Sequence, residues 1–371
     1  MGIQEDIKPR MRWWGWGVDG HDKPIKPGAT EILKSVCGME DVHTPPVKLE
    51  DVKVNPSKLD ADDIAALKAI VGDEFFKDDH YTRVMHTYGR SYPDLLRLRL
   101  GKCEGAPDAI VYPGSEDDIA KLFEVCSERG IAVIPFGGGT SVAGGVEAMR
   151  GKFKKAISIS MLRFNKIVEI DTKAMTVTVQ PGVFGPDLEA ELGKWGVTVG
   201  HFPQSFEFST VGGWASCRSA GQESSGYGRI DKNIVGLRVV TPRGPMDIRT
   251  VPSTAAGPDP RQLFLGSEGV FGIITEITVQ IHKKPETMVF DCYFFPSFAE
   301  GIEVFRELEQ NGDMPHLARL SNEKETDFGI KQLGGGNLGK TLSRYLSLRG
   351  QSTPCMAVFA FGGSKLQALS L

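Results

Sequence analysis

A continuous apolar run, a helical pattern and a second apolar run follow one another in the middle of the chain. The apolar runs at Ala109–Pro113 and Ile131–Phe136 are typical of buried strands. Between them, Ser115 begins a helix in a capping-box pattern, and Gly130 ends it. One helical face carries apolar residues at the expected spacing: Ile119, Leu122, Phe123 and Cys126. We therefore predict two parallel strands joined by a right-handed crossover.

Antiparallel pairs follow this unit. Strands are predicted at Lys166–Ile170, Thr176–Gln180, Ile234–Thr241, Met246–Thr250 and Ile273–Ile281, with turns at Asp171–Ala174 and Pro242–Pro245 and a helix near Asp187–Trp195. One parallel unit combined with later antiparallel pairs predicts an α+β fold rather than a uniform doubly wound sheet.

The two ends of the chain have different patterns. Residues 1–104 are predicted to be an irregular arm followed by a helical region, which includes a helix at Ala61–Ile70. The three tryptophans of Met11–Gly17 favour a hydrophobic anchor over a ligand-stacking role.

Pro285 marks a predicted boundary, after which strands and helices alternate at Met288–Phe295, Phe298–Gln310, Thr326–Leu333 and Cys355–Phe361. These elements predict a second sheet with helices on one face, unfinished at Leu371. We therefore expect domains at 1–104, 105–285 and 286–371, and we expect the chain to be a fragment.

Composition removes several classes of function. The 371 residues are 40% apolar and 24% charged, with a formal net charge of −4, and no basic block interleaved with aromatics indicates nucleic-acid binding. The six cysteines form no CxxC pair, which disfavours a disulfide framework or structural zinc. The seven histidines form no metal-binding pattern, so no metal is expected. The sequence shows no signal peptide and no apolar run long enough to span a membrane.

The first segment with candidate chemistry is Pro135–Gly145, directly after a predicted buried strand. Three successive glycines permit positive φ and bring several N–H groups together in an anion-binding turn, to which Thr140 and Ser141 add hydroxyls. A Walker loop requires a lysine after the glycines, and a dinucleotide fingerprint requires glycine where Val142 stands. A plain tight turn would fit the three glycines equally well.

Two further segments are unusual. Phe202–Gly221 is dense in small polar residues and is interpreted as a half-buried loop beside a polar ligand, with a surface loop as the alternative. Gly266–Ile274 has a GxxGxxG pattern that opens into a strand. The glycines leave one side of this segment without side chains, which gives room for another backbone or a flat ring. Close strand packing would explain the glycine pattern as well.

In this order the three segments resemble the FAD-binding domain of the vanillyl-alcohol oxidase and p-cresol methylhydroxylase (PCMH) superfamily, and most closely the alkyldihydroxyacetonephosphate synthases. The resemblance rests on RMRWWGWG (Arg10–Gly17), YGRSYPDLLR (Tyr88–Arg97), PFGGGTSV (Pro135–Val142), FEFSTVGGW (Phe206–Trp214), VTPRG (Val240–Gly244), GPDP (Gly257–Pro260) and FLGSEGVFGIITE (Phe264–Glu276). It implies a two-subdomain PCMH-type FAD-binding domain followed by a cap domain, here incomplete.

The resemblance also implies which residues contact FAD. They are Pro135, Phe136, Gly137, Gly138, Gly139, Thr140, Ser141, Gln204, Ser205, Phe206, Glu207, Phe208, Ser209, Thr210, Cys217, Arg218, Ser219, Ala220, Glu268, Gly269, Val270, Phe271, Gly272, Ile273 and Ile274. No histidine lies in the first loop, so FAD is expected to be non-covalent. Gln204 and Cys217 stand where the family pattern has Asp and Thr. Arg319 matches a family arginine that positions an anion or the flavin, with a solvated cap residue as the alternative.

The activity implied by the resemblance is a redox-neutral exchange of the acyl chain of acyl-dihydroxyacetone phosphate for a fatty alcohol. The family's catalytic tyrosine and histidine cluster are expected beyond Leu371, so this chain is expected to hold flavin but turn over little. A homodimer, peripheral membrane association and a peroxisomal location in a eukaryote, or a cytoplasmic one in a prokaryote, are also expected. The alternatives are a flavin-linked 2-hydroxy-acid dehydrogenase of the same superfamily and a non-enzymatic binding module.

Overall fold

The computed structural model describes residues 10–22, 29–30, 33–35, 38–40, 44–333, 337–351 and 354–364. Their contacts group them into two compact units. The first unit contains the described residues up to Gly20, with Pro45–Gly221 and Arg229–Lys284. The second contains Gln222–Gly228, the described residues from Pro285 onward and those between His21 and Thr44. The domain limits 1–104, 105–285 and 286–371 stay predictions.

The regular elements are numbered here in chain order. The strands are β1 Lys53–Val54, β2 Phe76–Lys77, β3 Lys102–Cys103, β4 Ala109–Val111, β5 Ile131–Phe136, β6 Lys155–Ser160, β7 Ile167–Asp171, β8 Thr176–Val179, β9 Val197–Thr198, β10 Ile234–Thr241, β11 Gly244–Ile248, β12 Ile273–Gln280, β13 His282–Lys283, β14 Thr287–Phe295, β15 Leu317–Leu320 and β16 Cys355–Gly363. The helices are α1 Ala61–Val71, α2 His80–Met85, α3 Tyr92–Arg99, α4 Glu116–Arg129, α5 Gly185–Gly193, α6 Val211–Cys217, α7 Ser224–Tyr227, α8 Ile230–Asn233, α9 Arg261–Phe264, α10 Phe298–Asn311, α11 Glu323–Leu333 and α12 Asn337–Leu348.

The first sheet of the first unit has the strand order β2–β4–β6–β5, and β4, β6 and β5 are parallel. The predicted strand–helix–strand unit is confirmed, with α4 between β4 and β5. Ser115 caps α4 in a complete capping box, and Gly130 ends the helix in the left-handed conformation with φ 63°. Strand β6, which lies between the two predicted strands in the sheet, was not predicted. Its buried residues Ile157 and Ile159 belong to the same core cluster as the apolar face of α4.

The second sheet of the first unit is antiparallel, with the order β11–β10–β12–β8–β7. The turn at Asp171–Ala174 is confirmed, because the Asp171 carboxylate accepts hydrogen bonds from the N–H groups of Lys173 and Ala174, both at 2.8 Å. The β10–β11 turn is tighter than predicted. Strand β11 begins at Gly244, whose φ of 115° suits glycine. A second core cluster, which contains Trp214 and Leu188, packs on this sheet.

Helices α2 and α3 lie in the helical region predicted within residues 1–104, although their bounds were not predicted, and helix α6 was missed within the predicted polar loop. Helix α1 is confirmed, with Asp60 as its capping residue. The predicted anchor role of the tryptophan segment holds for Trp13, which is buried in a cluster with Val84 and Leu98.

The second unit contains the antiparallel sheet β14–β16–β15. Strands β14 and β16 and helices α10 and α11 confirm the predicted sheet and helices, whereas β15 and α12 were missed. Helix α10 begins at Ser297, whose hydroxyl accepts a hydrogen bond from the Glu300 N–H, and ends at Gly312 with φ 77°. In the described part of the chain, no helix is long and apolar enough to cross a bilayer. The described residues also bring together no group of three metal-ligating side chains.

Candidate functional site

A cavity of about 470 Å³ lies within the first unit, and three segments form most of its wall. We call residues 135–146 the glycine loop, residues 203–220 the serine segment and residues 268–274 the third loop. All three were singled out in the sequence. The structure brings them together around one space, although they are far apart in the chain.

The glycine loop leaves β5 and turns at Gly139, where φ is 70°. Gly138 packs against the serine segment so closely that a Cβ there would lie 1.9 Å from the carbonyl oxygen of Phe208. The backbone N–H groups of residues 138–141 make no hydrogen bond within the described part of the chain. Amide donors that make no bond to the protein and line a cavity favour an anionic ligand.

The serine segment is not the continuous loop that the sequence analysis expected. Helix α6 begins inside it at the capping residue Thr210, whose hydroxyl accepts a hydrogen bond from the Gly213 N–H at 3.4 Å. Trp214 is buried, and its indole Nε1 donates to Ser209 Oγ at 2.8 Å. The expectation failed because Val211, Trp214 and Ala215 bury one face of the helix in the core, and this contact outweighs the low helix propensity of Gly212 and Gly213.

The third loop joins the other two and runs into the start of β12. Its Glu268 has φ 51°, and its N–H donates to the carbonyl oxygen of Ser216 at 3.0 Å. Gly269 lies against the glycine loop, since a Cβ there would be 2.5 Å from Pro135 Cγ. The bare side of the GxxGxxG pattern therefore faces protein at this position, as the close-packing alternative proposed.

The wall carries little charge. Burial raises the pKa of the Cys217 thiol to about 11, and the nearby Glu268 adds to that rise, although the cysteine side chain still reaches the surface. His201 lies behind the wall, with its Nε2 2.7 Å from the Oγ of the wall residue Ser219, and burial lowers the pKa of His201 to about 4. Both groups are therefore neutral near pH 7, and Glu268 is the one carboxylate on the described wall.

Six of the residues implied for FAD contact do not line the cavity: Phe206, Glu207, Phe208, Arg218, Val270 and Phe271. Phe206 stacks on Trp214 with ring centres 6.2 Å apart. Arg218 takes the left-handed conformation, with φ 49°, and its Nε donates to the Leu265 carbonyl at 2.8 Å. The Glu207 side chain is exposed, as are Val270 and Phe271.

The cavity wall also contains residues outside the set that the resemblance implies for FAD contact. They are Trp16, Val142, Ala143, Gly145, Val146, Met161, Pro181, Pro203, Gly212, Gly213, Trp214 and Ser216. Val142, Ala143 and Gly145 lie inside the segment Pro135–Gly145 that the sequence singled out, and Val146 follows it directly. Trp16 and Met161 come from distant elements. For Trp16 the tryptophan cluster left a ligand-stacking role as the alternative, whereas nothing in the local sequence of Met161 indicates the cavity.

Arg319 lies on β15 in the second unit, where its guanidinium forms an ion pair with Glu325. Both side chains are exposed. The ion pair supplies a local partner for the arginine, and the proposed anion-binding role stays a prediction.

Comparison with known proteins identifies residues 107–247 as an FAD-binding domain. The chain is 34% identical to an alkyldihydroxyacetonephosphate synthase of Dictyostelium discoideum over 97% of its own length and 31% identical to one of Trypanosoma brucei brucei over 98%. It spans 64% of the length of each of these curated relatives. A solved alkyldihydroxyacetonephosphate synthase matches with a TM-score of 0.83 and 31% identity, over 96% of this chain and 71% of the other.

The cavity fits the cofactor of such a domain. The free amides of residues 138–141 suit a diphosphate, and the apolar wall residues Trp214, Ile273 and Ile274 suit a flat ring system. The fold is of the α+β PCMH type, and FAD is the cofactor.

Proposed function

Because this chain belongs to the alkyldihydroxyacetonephosphate synthase family, we propose that it holds FAD non-covalently and serves the exchange of an acyl chain for a fatty alcohol on acyl-dihydroxyacetone phosphate. The observation that supports this proposal most directly is the row of unpaired amide donors at residues 138–141, which lies on the wall of the cavity. The amides hold a diphosphate without adding net charge to the protein.

FAD, when bound, supplies the reactive ring system of this redox-neutral exchange. The chain's own residues orient that ring system and exclude water from it. Trp214, Met161, Ile273 and Ile274 provide an apolar surface, and the neutral Cys217 adds no charge. Family membership supports a tyrosine as the base that takes the substrate proton, and no tyrosine lies on the described wall, so we propose that another part of the protein supplies this base.

Non-covalent binding is supported by the chemistry of the wall. No histidine or tyrosine lies on its described part, and Cys217 is a neutral thiol because burial raises its pKa to about 11. A denaturing gel viewed under ultraviolet light tests this point, because a covalent flavin would remain fluorescent on the protein band. We expect all of the flavin to be released.

The activity is tested with protein expressed from its complete reading frame, incubated with acyl-dihydroxyacetone phosphate and labelled fatty alcohol. We expect labelled ether product and release of fatty acid without bleaching of the flavin. Anaerobic bleaching by D-lactate or glycolate, with no ether product, would instead identify a 2-hydroxy-acid dehydrogenase. Protein that takes up no FAD would favour a non-enzymatic binding module.

We extend the proposal to the protein's surroundings. Family membership supports a homodimer, peripheral contact with a membrane, and a peroxisomal location in a eukaryote or a cytoplasmic one in a prokaryote. Light scattering tests the first of these, and flotation with phospholipid vesicles tests the second.

A further inference from the structure

The segment Arg10–Gly17, which we call the N-terminal arm, folds back on itself beside the cavity. The Arg12 N–H donates to the carbonyl oxygen of Gly17 at 2.9 Å, and Gly17 has φ 89°. The Arg12 guanidinium carbon lies 4.3 Å from the centre of the Trp14 ring. This cation–π contact joins two side chains of the turn and stabilises it. The arm therefore has a defined shape of its own.

Arg90 connects the arm to the glycine loop. Its side chain is 4% exposed, and it donates to the Arg12 carbonyl at 3.1 Å and to the Gly89 carbonyl at 2.9 Å. Its backbone N–H donates to the carbonyl oxygen of Ser141 at 2.7 Å. Gly89 sits so near this oxygen that a Cβ would be 1.9 Å away. One buried residue thus bridges the arm and the loop that carries the free amides.

Arg10 connects the other side of the arm to Phe184 and α5. Its guanidinium pairs with Asp187 of α5, and its central carbon lies 4.3 Å from the centre of the Phe184 ring. Phe184 forms an isolated antiparallel bridge with Thr210, a residue of the cavity wall. The arm is therefore linked to the glycine loop through Arg90 and to the serine segment through Arg10 and Phe184.

The two ends of the tryptophan cluster have different environments. Trp13 is buried in the core, as an anchor should be. Trp16 is 37% exposed, lies on the cavity wall, and has its ring 6.4 Å from that of Phe208. An exposed indole on the wall of a dinucleotide cavity is available to stack on an aromatic ring of the ligand, in the manner of aromatic platforms for nucleotide bases.

We propose that the N-terminal arm is part of the cofactor site and that Trp16 is a cofactor-binding residue, whose indole packs on an aromatic ring of bound FAD. This inference rests on FAD as the cofactor and is independent of the synthase reaction.

The test is calorimetric titration of FAD into the 371-residue protein and its variants. We expect Trp16→Ala to weaken FAD binding by roughly 5- to 100-fold, the range found for the loss of one stacking platform, and Trp16→Phe to restore most of the affinity. Trp195→Ala is the matched control, because Trp195 is exposed and lies outside the wall. Its affinity should equal that of the wild type.

A second readout separates direct contact from a purely structural role. An indole packed on the isoalloxazine quenches its emission, so with that ring as the partner FAD bound to the Trp16→Phe protein should fluoresce more brightly than FAD bound to the wild type, at equal saturation. With the adenine as the partner, emission stays unchanged and the loss of affinity in Trp16→Ala carries the test. If Trp16→Ala does not fold, Trp16→Leu keeps an apolar side chain and removes the ring. Wild-type affinity and emission in the folded variants would overturn the proposal. Because the wild-type titration is read without substrate, absence of ether product would affect only the proposed function.

Discussion

The substitution Gly138→Ala tests whether the glycine loop depends on its close approach to the serine segment. A Cβ at this position would lie 1.9 Å from the Phe208 carbonyl oxygen and 3.1 Å from the Ser209 Cα. Gly138 is not among the residues with positive φ, so alanine introduces no backbone strain. The perturbation is therefore steric, and the atoms that it meets are backbone atoms that cannot rotate away.

The expected effect follows from this distance. Since a real Cβ essentially never lies within 3.0 Å of such an atom, the two segments must separate by about 1 Å. Overpacking of this kind costs about 1–3 kcal/mol, which lowers the Tm by about 2–12 °C in a unit of this size. Loss of one charge-assisted amide contact to the diphosphate costs about 1.5–3 kcal/mol, so FAD affinity should fall by roughly 10- to 100-fold.

The assay combines melting of the FAD-free protein with calorimetric titration of FAD. Gly193→Ala is the matched control, because a Cβ at Gly193, at the end of α5, meets nothing within 4 Å. That variant should keep the wild-type affinity and Tm or melt slightly higher. If Gly138→Ala melted and bound FAD like the wild type, the contact between the two segments would not be a determinant of the site.

Three further predictions concern single side chains. Burial lowers the pKa of His86 and of His201 to about 4, below the ordinary value of 6.5. The unfolded chain therefore takes up these protons first as the pH falls. The free energy of unfolding should decline between about pH 6.5 and 4, by up to about 1.4 kcal/mol per pH unit for each histidine. Urea unfolding of His201→Asn should show a shallower decline. Because burial raises the pKa of Cys217 to about 11, the rate of its alkylation should rise about tenfold per pH unit between about pH 8 and 10, and bound FAD should slow the reaction. Mass spectrometry follows the alkylation, and a rate independent of pH would contradict this prediction. Arg319→Ala should shift the Tm by less than about 2 °C, like Arg306→Ala, because both ion pairs are exposed; loss of substrate binding in Arg319→Ala alone would support its anion-binding role.

Local signals in the sequence were sufficient for elements whose ends are decided by neighbouring residues. Helix α4 was predicted because Ser115 caps it and Gly130 ends it, and both features act within one turn of the helix. The turn after β7 was predicted because the Asp171 carboxylate binds amides two and three residues ahead. The glycine loop and the third loop were found for the same reason, since clustered glycines mark unusual backbone wherever they occur, and the serine segment was found from its many small polar residues.

Features decided by distant contacts were missed. Strand β6 is short, and its place between β4 and β5 follows from pairing with both, which no local pattern encodes. Helix α6 forms against the core despite two glycines in its first turn. Arg218 turns away from the cavity toward Leu265, a residue far along the chain. Trp16 reaches the wall because Arg90 and Arg10 hold the arm in place, and neither contact is visible in the sequence.

The glycines of the cavity segments allow close packing within the protein, and this packing in turn shapes the site for the ligand. A Cβ at Gly137 would lie 2.5 Å from Thr210 Oγ1, one at Gly269 would lie 2.5 Å from Pro135 Cγ, and one at Gly145 would meet the Glu268 carboxylate. The missing side chains thus let the glycine loop pack against both the serine segment and the third loop. Loops that hold one another in this way position the free amides before the cofactor arrives, so binding requires little ordering of the backbone. It follows that substitutions at these glycines should lower the stability of the FAD-free protein and its FAD affinity together, whereas a glycine kept only for contact with the ligand would affect affinity alone.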